Sequence, residues 1–149
     1  MLITQISVYL ENIKGTLRSL TKTLAENNID MLALSIADTT NFGIVRIVVR
    51  ENDIDSAIKA LRDNGFVAKT NHVIGIAVPN QPAGLDKALA VIEENNVFIE
   101  YMYSLNYIIG NNALMVLRLN AQDMTKDEIA KMLQDNEITT ISQEDVNKL

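Results

Sequence analysis

The chain has 149 residues, 48% of them hydrophobic, and its 13 Lys and Arg against 19 Asp and Glu give a net charge of −6. That is core material for one ordinary domain or two small ones, without the basic footprint that supplies non-specific nucleic-acid affinity. Cysteine is absent, which removes disulfides, iron–sulfur clusters, thiolate zinc sites and cysteine nucleophiles.

The first stretch, "MLITQISVYLEN", has no basic region followed by a small-residue cleavage site, and no apolar run approaches the ~18 residues of a membrane span. The expectation is a soluble, cytoplasmic protein with neither membrane nor nucleic acid as partner. Within residues 3 to 10, Ile6, Val8 and Leu10 alternate with Gln5, Ser7 and Tyr9, the period of a half-buried strand. Leu17, Leu20 and Leu24 follow at helical spacing, and the helix stops at "ENN" before an extended "IDMLALSIAD". "DTTNFG" turns into a β-branched strand, "IVRIVVR". Asn52 or Asp53 is placed to cap a second helix, which Gly65 ends, and "FVAKTN" reads as a fourth strand.

The order then repeats: "HVIGIAV", a helix starting at Pro82, the long "VFIEYMYSLNYII", a "GNN" turn, "ALMVLRL", and a helix opened by a Thr125/Glu128 capping box. "ENN" at 26 to 28 recurs at 94 to 96, an offset of 94 − 26 = 68 that also superposes Asn12 on Asn80 and Leu17 on Leu85. Strand, helix, strand, strand, helix, strand, twice, predicts an α+β fold of two tandem ferredoxin-like units, residues 1–71 and 72–149, each an antiparallel sheet with its helices on one face and the other face open. Ile99, Tyr101, Tyr103 and Tyr107 are expected on one side of the long strand, buried by a partner or the other unit.

Catalytic chemistry finds little support. The single histidine, His72, falls at the junction of the units, and the chain contains no GxSxG, HExxH, Walker loop or GxGxxG. "DMTKDEIAKMLQ" begins like a calcium loop, but its sixth and twelfth positions are Glu128 and Gln134. The expectation is a protein that is not an enzyme and has no cofactor or metal. An RNA-recognition reading fails at "TNFGIVRI", where Ile44 and Ile47 stand at the stacking positions.

Two strand-to-helix loops remain, "NIKGTL" and "NQPAGL". Each opens a helix, whose free amides sit at the positive end of its dipole, and small residues let a ligand approach that backbone. A carboxylate fits there; so does the plainer view that "PAGL" is a good turn. "NIKGTLRSLTKTLAENNIDMLALSIADTTNFGIVRIVV" and "PNQPAGLDKALAVIEENNVFIEYMY" resemble the pattern of ACT domains, small ligand-binding regulatory modules of amino-acid metabolism, and the likeness covers nearly the whole chain.

The resemblance implies a stand-alone sensor that binds an amino acid between paired units. Its ligand-binding residues would be Asn12, Lys14, Gly15, Thr16 and Leu17 in the first loop, Asn80, Pro82, Ala83, Gly84 and Leu85 in the second, and Asp38 after the second strand, where Asp38, Thr39 and Asn41 are placed to meet a ligand's amino group although turn chemistry alone accounts for them. Lys14 stands where the family has proline, and Ala83 where it has the glycine matched by Gly15; Gly84 beside Ala83 is expected to restore room. The partners implied are an amino-acid effector, a metabolic enzyme and a second copy of the chain. The alternative is a ligand-free docking or dimerisation module. Gly84→Val and Gly15→Val, expected to remove binding with the fold intact, separate the two readings.

Overall fold

The computed structural model describes residues 2–38 and 41–149, so the expectation for Thr39 lies outside the described residues. The chain divides into two compact units, Thr4–Asn71 and His72–Leu149, with Leu2 and Ile3 belonging to the second. In the N-terminal unit the elements are β1 (Leu2–Glu11), α1 (Thr16–Glu26), β2 (Ala33–Asp38), β3 (Phe42–Val48), α2 (Glu51–Asp63) and the start of β4 (Val67–Pro79). Its strand order is β2-β3-β1-β4. The C-terminal unit takes the rest of β4, then α3 (Gly84–Glu94), β5 (Phe98–Ile109), β6 (Asn112–Asn120), α4 (Lys126–Asp135), β7 (Thr139–Ile141) and a short α5 (Gln143–Asn147). Its order is β7-β4-β6-β5. Both are the ferredoxin-like βαββαβ arrangement that the sequence predicts.

Each helical face closes over one apolar cluster. Ile6, Val8 and Leu10 of β1 pack with Val45 and Ile47 of β3 and with Leu20, Leu24, Ala57 and Leu61 of the two helices. Ile74, Ile76 and Val78 play the same part with Leu117, Leu119, Ala88, Ile92, Ile129 and Leu133. The two-residue and 3.6-residue periods read from the sequence therefore identify the core except at Leu17, which is 38% exposed.

The helix ends repeat even more regularly than the strands. α1, α2, α3 and α4 all stop at an asparagine, Asn27, Asn64, Asn95 and Asn136, whose Nδ2 donates 2.8 Å back to the carbonyl four residues earlier. The next residue, Asn28, Gly65, Asn96 or Glu137, takes positive φ. The one after it, Ile29, Phe66, Val97 or Ile138, donates its N–H to the carbonyl of Leu24, Leu61, Ile92 or Leu133. This is the Schellman closure with its apolar contact, and it explains physically why "ENN", "DNG", "ENN" and "DNE" recur.

Four expectations need correction. The strands read separately as "FVAKTN" and "HVIGIAV" are one 13-residue strand, β4, with exposed His72 inside it. α2 begins at Glu51, with Arg50 as its N-cap and no side-chain cap, so neither Asn52 nor Asp53 caps it. The face opposite the helices is not open at Gln5 and Ser7, which are buried and share hydrogen bonds with Asn71 at 3.1 to 3.3 Å. The stripe on β5 is broken by shifts in register after Ile99 and after Ser104. Tyr103 is buried, Tyr101 and Tyr107 are half-buried, and Ile99 is exposed.

Candidate functional site

The two strand-to-helix loops share a construction. Gly15 is the N-cap of α1 with φ +92°, and Ala83 is the N-cap of α3 with φ +67°. Left-handed backbone costs a glycine nothing, but an alanine roughly 1–2 kcal/mol. Pro82 therefore precedes the helix and is not its first residue. Thr16 donates both N–H, at 3.3 Å, and Oγ1, at 2.7 Å, to the carbonyl of Ile13. Gly84 donates its N–H to the carbonyl of Gln81 at 3.1 Å. The first bonds of the helices proper run from Ser19 to Gly15 and from Lys87 to Ala83. Among the described residues the amides of Leu17 and Arg18, and of Leu85 and Asp86, have no hydrogen-bond partner, and no side chain caps either helix. α4 and α5, by contrast, start with complete capping boxes, Thr125 with Glu128 and Ser142 with Asp145.

Gly84 has a different reason to be glycine from the one the sequence suggests. A Cβ on it would lie 2.0 Å from the carbonyl oxygen of Pro79. The missing side chain makes room for the chain's own backbone, so Gly84→Val is expected to destabilise the fold. Gly15 has open space around it, but its positive φ strains any substituent. Leu85 is half-buried and packs on the core of its unit. Asn80 donates its N–H to the carbonyl of Asn111 at 2.7 Å, as Asn12 does to Asn41 at 3.4 Å, so both asparagines fasten their loop to the neighbouring hairpin.

In the N-terminal unit the loop borders a cavity of about 240 Å³ lined by Leu10, Glu11, Asn12, Ile13, Thr16, Leu17, Ile36, Asp38 and Gly43. It brings together four residues singled out in the sequence, Asn12, Thr16, Leu17 and Asp38; Lys14 and Gly15 do not line it. The sheet register explains how Asp38 gets there. Leu10, Gly43 and Asp38 lie side by side across β1, β3 and β2, so all three side-chain positions fall on the helix-covered face, beside the start of α1. Glu11, Ile13 and Ile36 were missed; only the strand pairing shows that Ile36 stands one step inward from Asp38 on that face. Arg118 is paired with Glu100 at 2.7 Å. Among the described residues no group of three or more His, Asp or Glu is placed to hold a metal ion, and no helix is long and apolar enough to cross a membrane.

The model of a known protein family, the ACT domain pair, matches residues 1–149. The chain belongs to the ACT domain pair family. A comparison with curated proteins finds no match. Among solved structures, a protein from Bacteroides thetaiotaomicron is 38% identical, covering 100% of this chain and 98% of that one, with a TM-score of 0.86. The ligand-free regulatory subunit of aspartate kinase from Thermus thermophilus is 14% identical over 89% of this chain and 91% of its own, with a TM-score of 0.61. The corresponding subunit from Thermus flavus is also 14% identical, with a TM-score of 0.58 over 89% of this chain and 90% of its own. These two likenesses bear on the fold. The pair architecture is a small-molecule-binding regulatory one, and the strand-to-helix loops described above are those of its two ACT units.

Proposed function

We propose that this ACT pair, with units over residues 1–71 and 72–149, is a cytoplasmic amino-acid sensor that performs no chemistry of its own. The observation that carries the reading is the cavity beside the start of α1, bordered both by Leu17, whose amide has no partner among the described residues, and by Asp38. The α-carboxylate of an amino acid is received at the N–H groups of Leu17 and Arg18, favoured by the helix dipole. Its ammonium pairs with Asp38, and Asn12 and Thr16 border the bound molecule. The regulated partner is a metabolic enzyme. Regulation follows if the effector prefers one arrangement of the partners, since it can shift an equilibrium only by its difference in affinity between the two states.

Amide chemical shifts test this directly. Titrating the 15N-labelled protein with the common amino acids at millimolar concentration is expected to move the resonances of Leu17 and Arg18 with one effector class. Unmoved resonances throughout, with assembly lost in Tyr101 and Tyr103 variants, would favour the docking-module alternative.

A further inference from the structure

We infer that the effector site is confined to the N-terminal unit and takes a zwitterionic amino acid with an uncharged aliphatic side chain. This rests on the effector reading above and narrows it to one loop and one ligand class.

The two units place different chemistry at equivalent positions. The row Leu10, Gly43, Asp38 in the N-terminal unit corresponds to Val78, Ala113, Ile108 in the C-terminal unit, because Val78 pairs with Ala113 and Ala113 with Ile108. One row inward, Val8, Val45 and Ile36 correspond to Ile76, Met115 and Ser104. The carboxylate beside the first loop is thus an isoleucine beside the second, and the aliphatic wall at Ile36 is a serine. The ladder also shifts between Ser104 and Ile108, which are four residues apart (108 − 104) where Ile36 and Asp38 are two (38 − 36). At the strand position beside the loop an ammonium group meets the carboxylate of Asp38 in the N-terminal unit and the aliphatic side chain of Ile108 in the C-terminal one, although both helices start with the same amides unpaired among the described residues.

The walls of the N-terminal cavity set the side-chain class. Leu10, Ile13, Leu17 and Ile36 are aliphatic, and the charged groups lining it are Glu11 and Asp38, with no lysine or arginine. An acidic side chain would face two carboxylates and no cation. With Asp38 taken by the α-ammonium, a cationic one would lose hydration against four aliphatic walls for a pairing with Glu11 alone, which is exposed and so worth little. An aliphatic side chain instead covers Ile13 and Ile36, which are 63% and 51% exposed.

Isothermal titration of the full chain with L-valine, L-leucine and L-isoleucine, and with L-glutamate and L-lysine as controls, tests the inference. At least one aliphatic amino acid is expected to bind with one site per chain, both controls at least tenfold more weakly. Asp38→Asn, at an exposed strand end, is expected to weaken binding at least tenfold, and Ile108→Asn to leave it unchanged. Isovalerate, which is L-valine without its ammonium, is expected to bind at least tenfold more weakly than L-valine itself, a measurement that needs no variant. Two sites per chain, or loss of binding in Ile108→Asn and not in Asp38→Asn, would overturn the confinement to one unit. Preference for glutamate or lysine would overturn the ligand class and leave the effector reading standing. Failure of all five amino acids to bind would sink the inference, and the same failure on extending the titration to all twenty common amino acids would sink the effector reading with it.

Discussion

At the scale of single residues, the two loops look alike in sequence and differ in what each side chain does. Gly84 has no room for a Cβ because Pro79 backbone occupies it, and backbone cannot swing away as a side-chain tip can. Gly84→Val is expected to destabilise the protein by about 2–3 kcal/mol, read as a lower urea midpoint, with or without any ligand. Ala83 holds a left-handed conformation that suits glycine. Ala83→Gly is expected to be neutral or to stabilise by up to ~1 kcal/mol, the relief of strain being partly offset by greater freedom of the unfolded chain. The sequence identifies both loops but not these roles, because a close backbone approach and a φ angle leave no periodic signal. Asp38 was legible as a turn residue, and only the row through Gly43 to Leu10 turns it into a neighbour of α1.

At the scale of elements, the four asparagine helix ends are the most strongly written feature of the chain. Glu137 is the odd member, a glutamate at positive φ where α2 has Gly65. Glu137→Gly is expected to raise stability by about 0.5–1 kcal/mol, and Gly65→Ala to lower it by a similar amount, both read from denaturation midpoints. The short α5 makes a pH-dependent contribution. The Asp145 carboxylate accepts hydrogen bonds from the backbone N–H of Ser142 at 2.8 Å and from its hydroxyl at 2.9 Å. The backbone bond first, then the side-chain bond, holds its pKa below the ordinary value of 3.8. A lowered folded pKa means that this stabilisation is present above 3.8 and is lost as pH falls through the folded value. The gap in melting temperature between wild type and Asp145→Ala is therefore expected to be full at pH 7 and to close below that range. β7 and α5 were not legible beforehand: three strand residues and five helical ones are too short for either period to register.

At the scale of the whole molecule, the 68-residue offset made the fold readable. A repeated order of elements, each with its own apolar period, admits few topologies, and the register of "ENN" fixes which element answers to which. The same offset hid the difference between the units, since it superposes the loops but says nothing about β2 and β5, whose lengths and registers diverge. The ACT pair is thus a duplicated scaffold whose copies retain helix ends and core and differ at the strand position held by Asp38 in one and Ile108 in the other. A thermal-shift screen of the full chain against the twenty common amino acids at millimolar concentration tests the central claim most directly. A ligand that binds only the folded state adds ~2.7 kcal/mol at a hundredfold excess over its dissociation constant, a rise of several degrees. The account predicts such a rise for one class of amino acid, largely lost in Asp38→Asn, and a flat response across all twenty would contradict it.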